Sequence, residues 1–238
     1  MNTPLYQFVI DTLIERIASG AMLPGSMLPS EAQLGTELGV SQGTARKAVM
    51  ELEARGLVQR RQGRGTFVTV RTPETSLFNF FRLRKPDGTL EAPGLEQETV
   101  RRRPATQEET QALFGRPLEV IEIRRVRSLA GRKATHEVLV ISAKLFPGLA
   151  DRAHLPNAIY VLYQQSYSVT ILRANERLRI TSASPAVAAA LDIEPGTPML
   201  EVRRQAIDFL DRVVELRTVQ CLTDHHEYFV TLSQPNDN

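Results

Sequence analysis

The sequence predicts an α+β protein in two parts. Three short helices and a β-hairpin fill residues 1–70, and an antiparallel sheet with helices packed on it follows. Three observations carry this. Apolar residues up to Leu57 recur at three- and four-residue steps, interrupted by a Pro–Gly loop and by capping serines. Beyond Thr99, runs of β-branched and apolar residues joined by tight turns dominate, with helices interspersed. The charge also divides. The 29 Lys/Arg and 27 Asp/Glu give a net charge of +2, and all of that excess sits in residues 1–71, with eight basic and six acidic residues.

The first helix is expected over about Pro4 to Ser19, with Leu5, Phe8, Val9, Leu13 and Ile17 on one face and Gly20 at its end. AMLPGSMLPS is turn chemistry. Ser30 then caps a short helix, with Gln33 reaching back to complete a capping box. Gly39 closes that helix, and Ser41 caps the next, which places Ala45, Val49, Leu52 and Leu57 on one side. Two short helices joined at a glycine form a helix-turn-helix, whose second helix meets base edges with its first residues. After Gly56, LVQRR and TFVTV flank the turn Gln62-Gly63-Arg64-Gly65, a hairpin with arginine at its tip. Such a thin basic tip, a wing, suits a narrow minor groove. Five basic residues and no acid lie between Arg55 and Arg71, a local basic patch on a near-neutral chain.

A linker is expected at residues 71–76, which leaves 77–238 as the second domain. There Thr99–Arg103 reads as extended, and Thr106 with Glu109 caps a short helix. Leu118–Leu129 and Lys133–Ser142 form a hairpin across Ala130-Gly131-Arg132, and Pro156–Ser166 reads as helical. Thr170–Thr181 alternates as a strand, and Ser184-Pro185 opens a helix. Thr197–Phe209, Val213–Leu222 and Tyr228–Leu232 read as strands of an antiparallel meander. A faint repeat relates ALFGRPLEVIEIRRVRSLAGRKATHEVLV to ALDIEPGTPMLEVRRQAIDFLDRVVELRTV, with Glu137 and Glu215 as matching acids. Duplicated halves commonly enclose a site between them.

Several function classes are excluded. The single Cys221 rules out an internal disulfide framework and zinc sites built on several thiolates. No apolar run approaches the roughly 18 residues of a membrane helix. The N-terminus carries Asp11, Glu15 and Arg16 through its apolar stretch, unlike a signal peptide, so a soluble cytoplasmic protein is expected. Of the four histidines, His225 and His226 are adjacent on a strand and point to opposite faces, a poor metal pair. No nucleophile elbow or P-loop occurs. No catalytic residue, metal or cofactor is expected.

PLYQ, LPSE, LGVS, TARKAVMELEARGLV and RRQGRGTFV resemble the DNA-binding domain of the GntR family of bacterial transcription regulators over nearly all of residues 4–70. The resemblance implies a homodimer on a pseudo-palindromic double-stranded operator. It also implies contacts from Ser30, Ser41, Gln42, Thr44, Arg46, Lys47, Arg61, Arg64 and Gly65. Arg46 would read a guanine, and Arg64 and Gly65 would enter the minor groove. Members often carry Arg after the capping serine, where this chain has Gln42 and Gly43.

From about residue 76 to 234 the chain resembles the UTRA effector domain of the HutC subfamily, which shares the chorismate-lyase fold. The carriers are IRRVRSLAGRKATHEV, PNAIYVLYQQ, ILRANERL, AALDIEPGTPMLEVRR and VVELRTVQCLTDHHEYFV. This implies a small anionic effector, a sugar phosphate or a carboxylate, held by the Arg-x-Arg pair Arg125 and Arg127. Glu137, Tyr160, Arg173 and Glu215 would line the pocket, and a loop around Phe80, Phe81 and Arg82 would close over it. The bland alternatives are surface ion pairs of Arg125 and Arg127 with Glu122 or Glu137, of Arg173 with Glu176, and a core role for Tyr160. Ala158 stands where phosphate-binding relatives often have serine. The expected function is a ligand-responsive repressor, and the rival is a lyase acting on a small organic acid through the same fold.

Overall fold

The computed structural model describes residues 4–72 and 82–231. It contains two compact units. One comprises residues 1–72 with 159–173 and 207–212, and the other comprises 73–158, 174–206 and 213–238.

In the first unit, helix α1 (Leu5–Ala18) buries Val9, Ile10, Leu13, Ile14 and Ile17. Leu5 and Phe8, expected on that face, are exposed, because the buried stripe starts one turn later and takes in Ile10 and Ile14 instead. Pro4 is the N-cap of α1 and not its first helical residue. Helix α2 (Glu31–Leu38) has the expected capping box: the Gln33 N–H donates to Ser30 Oγ, and Gln33 Oε1 accepts from the Ser30 N–H. Gly39 ends α2 in the left-handed region, at φ 66°. Helix α3 (Gln42–Ala54) starts at Ser41, whose Oγ accepts from the Thr44 N–H at 3.1 Å. The turn between α2 and α3 is tight. A Cβ on Gly35 would stand 2.9 Å from the carbonyl oxygen of Val40.

Strands β1 (Val58–Arg61) and β2 (Gly65–Val68) pair with Arg61 opposite Gly65. The loop before α2 stiffens this wing. Leu28 N–H donates to Thr66 O and Val68 N–H donates to Ser26 O, with Met27 bridging to Phe67. Leu34, Ala45, Val49, Leu52, Leu57 and Val68 share one core with α1 and with Phe209. Each buried leucine or valine here contributes roughly 1.5–3 kcal/mol.

The second unit is built on a six-stranded antiparallel sheet. Strands β4 (Gly94–Pro104), β5 (Glu119–Leu129), β6 (Arg132–Ser142), β7 (Ile171–Ser182), β8 (Pro198–Asp208) and β9 (Val213–Cys221) lie in the order β4-β5-β6-β9-β8-β7. Residues 171–173 of β7 and 207–208 of β8 belong to the first unit. Helix α4 (Gln107–Ala112) starts at the predicted Thr106–Glu109 capping box. Helix α5 (Ile159–Tyr167) belongs to the first unit, and α6 (Pro185–Leu191) is capped by Ser184.

Of the meander expected at the end of the chain, β8 and β9 do lie side by side, and only the last strand departs. β9 pairs with β6, and β10 (Glu227–Tyr228) leaves the sheet to pair with β3 (Leu83–Arg84). The strand order reads as a palindrome because the domain is two copies of one three-stranded motif joined at β6 and β9. Leu139 pairs with Arg217 at their junction. Equivalent positions match across it. Glu122 corresponds to Glu201, Arg125 to Arg204, Glu98 to Glu176 and Glu137 to Glu215, and the two helix caps Thr106 and Ser184 also correspond.

Candidate nucleic-acid interface and effector site

The first residues of α3 form an exposed rim. Ser41, Gln42, Arg46 and Lys47 are exposed and Thr44 is half-buried, while Ala45, Ala48 and Val49 hold the opposite side of the helix in the core. Ser41 Oγ lies 2.9 Å from Thr44 Oγ1, so each hydroxyl is oriented by the other. The Lys47 ammonium sits 4.1 Å above the Tyr6 ring, which holds a long side chain over α3. At the wing, Arg64 occupies the turn and Gly65 has φ 110°, which a side chain rarely adopts. The Arg61 guanidinium lies 4.8 Å from the Phe67 ring centre. Arg60, next to it, is committed to Glu31 at 2.8 Å and Glu53 at 3.3 Å. Ser30, Gln42, Arg61 and Gly65 line one cleft of about 760 Å³ between the starts of α2 and α3 and the wing. The nine residues predicted for this surface therefore fall on one helix start, one helix cap and one hairpin.

In the second unit, strand alternation puts Arg125 and Arg127 on one face of the sheet, as expected. They are buried, however, at 1% and 4% exposure. Surface pairing with Glu122 does not occur. Glu122 lies on the opposite face among Arg101, Arg103 and Arg124, at 2.7–2.8 Å. Arg125 pairs with Glu98 at 2.6 Å, and Arg127 stands 3.0 Å from Glu137 Oε1. Cross-strand register places Glu137 opposite Arg125 and Thr135 opposite Arg127.

The remaining donors of both arginines face a short loop. Arg127 donates through Nη1 to Asn157 Oδ1, and through Nη2 to the Asn157 carbonyl at 3.1 Å. Arg125 donates to the Pro156 carbonyl at 3.0 Å. Pro156 and Asn157 precede α5 and are not part of it, contrary to the sequence reading, so their carbonyls are free to accept. Three buried polar atoms here lack a hydrogen bond: Arg127 Nε, Thr135 Oγ1 and Glu137 Oε2. Arg127 Nε touches its glutamate without hydrogen-bond alignment. Burial acts to raise the pKa of the Glu137 carboxyl. Arg127, Arg217 and Arg125 outweigh it and hold the carboxyl below its ordinary range. Burial lowers the Arg127 pKa against the opposing pull of Glu137.

Glu215 joins this cluster through Arg217, which pairs with Glu215 at 2.9 Å and reaches Glu137 at 3.9 Å. Tyr160 and Arg173 belong to the first unit. The Tyr160 ring packs 5.7 Å from Tyr163, and Arg173 is exposed and pairs with Asp211 at 3.1 Å, not with Glu176. Glu176 is held instead by Arg204 and by the Tyr228 hydroxyl. Arg82 is half-buried, and its carbonyl accepts from the Phe229 N–H. Phe80 and Phe81 lie outside the described residues. Sequence reasoning missed Glu98, Thr135, Asn157 and Arg217. The repeat offered a signal for Glu98, the counterpart of Glu176, but none announced Asn157.

Comparison with known proteins finds two matching regions. Residues 5–68 match the model of the bacterial regulatory proteins of the gntR family, and residues 91–227 match the UTRA domain. The HTH-type transcriptional repressor NagR of Bacillus subtilis is 30% identical over 84% of this chain and 83% of its own length. The mannosyl-D-glycerate transport/metabolism system repressor MngR of Escherichia coli is 26% identical over 95% of each chain. A ligand-binding domain from Bordetella bronchiseptica, attributed to the GntR-family transcriptional regulators, superposes with a TM-score of 0.58 and 31% identity. It covers 65% of this chain and 98% of its own. The lyase alternative finds no support among these, all of which are regulators. Among the described residues, no helix is long and apolar enough to cross a membrane. A helix-turn-helix reading head followed by a UTRA effector domain makes this chain a member of the GntR family, a DNA-binding transcriptional regulator responsive to a small molecule and not an enzyme.

Proposed function

We propose that the chain is a cytoplasmic, homodimeric repressor that leaves a pseudo-palindromic operator when a small anionic effector, a sugar phosphate or a carboxylate, binds its second domain. The observation that supports the DNA reading is the exposed start of α3 beside an arginine- and glycine-tipped wing. In this reading Ser41, Thr44 and Lys47 fix register on phosphates, and Ser30 and Gln42 border the same groove. Arg46 offers two donors to a guanine edge. Arg61, Arg64 and Gly65 follow the minor groove, where the absent Cβ allows close approach. On the effector side, Arg125, Arg127, Glu137 and Glu215 bind the ligand, with Arg82 as further lining. Binding changes the separation of the two reading heads, so both half-sites are no longer met together.

Selection of bound sequences from a random pool, followed by gel shift at two salt concentrations, tests this. Wild type is expected to prefer one palindrome. Arg46→Ala keeps only weak, salt-sensitive binding with no sequence preference. An Arg46→Ala variant with unchanged preference overturns the assignment.

A further inference from the structure

The inner face of the sheet carries its own charge balance. Arg125 pairs with Glu98, Arg127 with Glu137, Arg204 with Glu176 and Arg217 with Glu215. Side-chain exposure is 16% or less for all eight. These four buried arginines and four glutamates balance one another, while Arg102, on the same face by register, is exposed to solvent. A dianion entering here would stay uncompensated in a dry site, which is strongly unfavourable. Two groups nevertheless have hydrogen-bonding capacity in hand. Glu137 Oε2 accepts nothing, and Thr135 Oγ1, one cross-strand step away, is also without a hydrogen bond. Meanwhile the Asn157 side-chain and main-chain oxygens sit on the two Nη groups of Arg127, as the two oxygens of one carboxylate would.

We infer that the effector is a zwitterion. A single acidic group replaces Asn157 on the Arg127 fork, and a protonated amine donates to Glu137 Oε2 and Thr135 Oγ1. Its chemical class is an amino acid or an amine-bearing sugar acid, which keeps the buried charge at zero. This rests on the proposal above that Arg127 receives an acidic group, and it narrows that proposal by requiring the amine.

The test is thermal unfolding of the full chain in sodium sulfate against sodium chloride at matched ionic strength, for wild type, Glu98→Gln and Glu137→Gln. A rise that persists in Arg127→Gln belongs to the reading head and is subtracted. Wild type is expected to show no sulfate-specific rise. Each glutamine variant, with one arginine uncompensated, is expected to rise by several degrees at millimolar sulfate. If Glu137→Gln does not fold, Glu98→Gln, altered at a partly exposed side chain, carries the comparison. A wild-type rise equal to that of the variants overturns the zwitterion and leaves the anion site standing. Silence in all three overturns both, because neither arginine then takes an anion. A second arm screens amino acids and amino sugar acids beside their N-acetyl forms. A hit that needs its free amine and fades in Glu137→Gln supports the inference, and a hit indifferent to acetylation refutes it.

Discussion

Glu122 offers a quantitative test of the scaffold behind the site. Its carboxylate is 4% exposed and is held by Arg101, Arg103 and Arg124. Burial alone would raise its pKa. Hydrogen bonds and charge from Arg124, Arg103 and Arg101 reverse this and bring it to about 2, from 4.5 for a free glutamate. At about 1.4 kcal/mol per pKa unit, the full shift corresponds to about 3 kcal/mol. Arg101 and Arg124 are 60% and 47% exposed, so solvent screens part of this, and a contribution of about 1–2 kcal/mol is the working figure. The folded-state pKa is depressed, so the stabilisation is complete above pH 4.5 and fades as pH falls toward 2. Glu122→Gln should therefore lower the unfolding midpoint of the second unit by roughly 3–6 °C at pH 7. The gap should narrow as pH falls from 4.5 toward 3, because Glu122 of the unfolded chain takes up its proton near 4.5 while the folded carboxyl, with a pKa of about 2, stays ionised. Circular-dichroism melts from pH 7 to pH 3 read this directly. A gap below one degree at pH 7, or one that does not change with pH, would refute the reasoning. The equivalent Glu201 has two arginines and the neutral Gln220, so Glu201→Gln should cost less.

Gly35→Ala should disrupt the helix-turn-helix, because the added methyl meets the Val40 carbonyl at 2.9 Å and backbone must shift. Loss of operator binding with an intact second unit in hydrogen exchange is the expected pattern. Ser41→Ala removes the cap of α3 and should cost about 1 kcal/mol, read as a lower denaturation midpoint of the reading head. Burial pushes the Cys221 thiol up, far from thiolate formation at neutral pH. A thiol reagent at pH 8 should therefore label it only at the rate of unfolding, and prompt labelling of the folded chain would contradict its placement.

The reading head was almost fully legible, because its signals are local. A capping serine, a glutamine three residues on, and a glycine between two helices each act within one turn of chain, and all three recur in the structure. The miss at Leu5 and Phe8 is of the same scale, since periodicity alone cannot say at which turn burial starts. The effector site was legible only in part, because its partners are set by register. Arg125 and Arg127 announced one face by alternation. That Arg125 would meet Glu98, and Arg127 the backbone of Asn157, depends on β4 pairing with β5 and on where α5 begins. The pairing of β9 with β6 was not legible for a related reason. A duplicated motif pairs through its third strands, which no turn in the sequence marks.

The duplication also explains why one site, and not two, is expected. The scaffolding charges recur in both halves: Glu122 and Glu201 with their arginines on the outer face, and Arg125–Glu98 and Arg204–Glu176 on the inner face. The halves part company where the effector is proposed to bind. The position equivalent to Arg127 is Ala206, fully buried, and the position equivalent to Arg217 is Leu139, also fully buried. One guanidinium lost from each copy is thus supplied by the other. Both remaining guanidinia converge on Glu137, at 3.0 and 3.9 Å, while the twin acid Glu215 has Arg217 at 2.9 Å. The cluster around Glu137 is therefore single and asymmetric. Its asymmetry falls on Arg127 and Glu137, the two groups to which opposite ends of one small ligand are assigned.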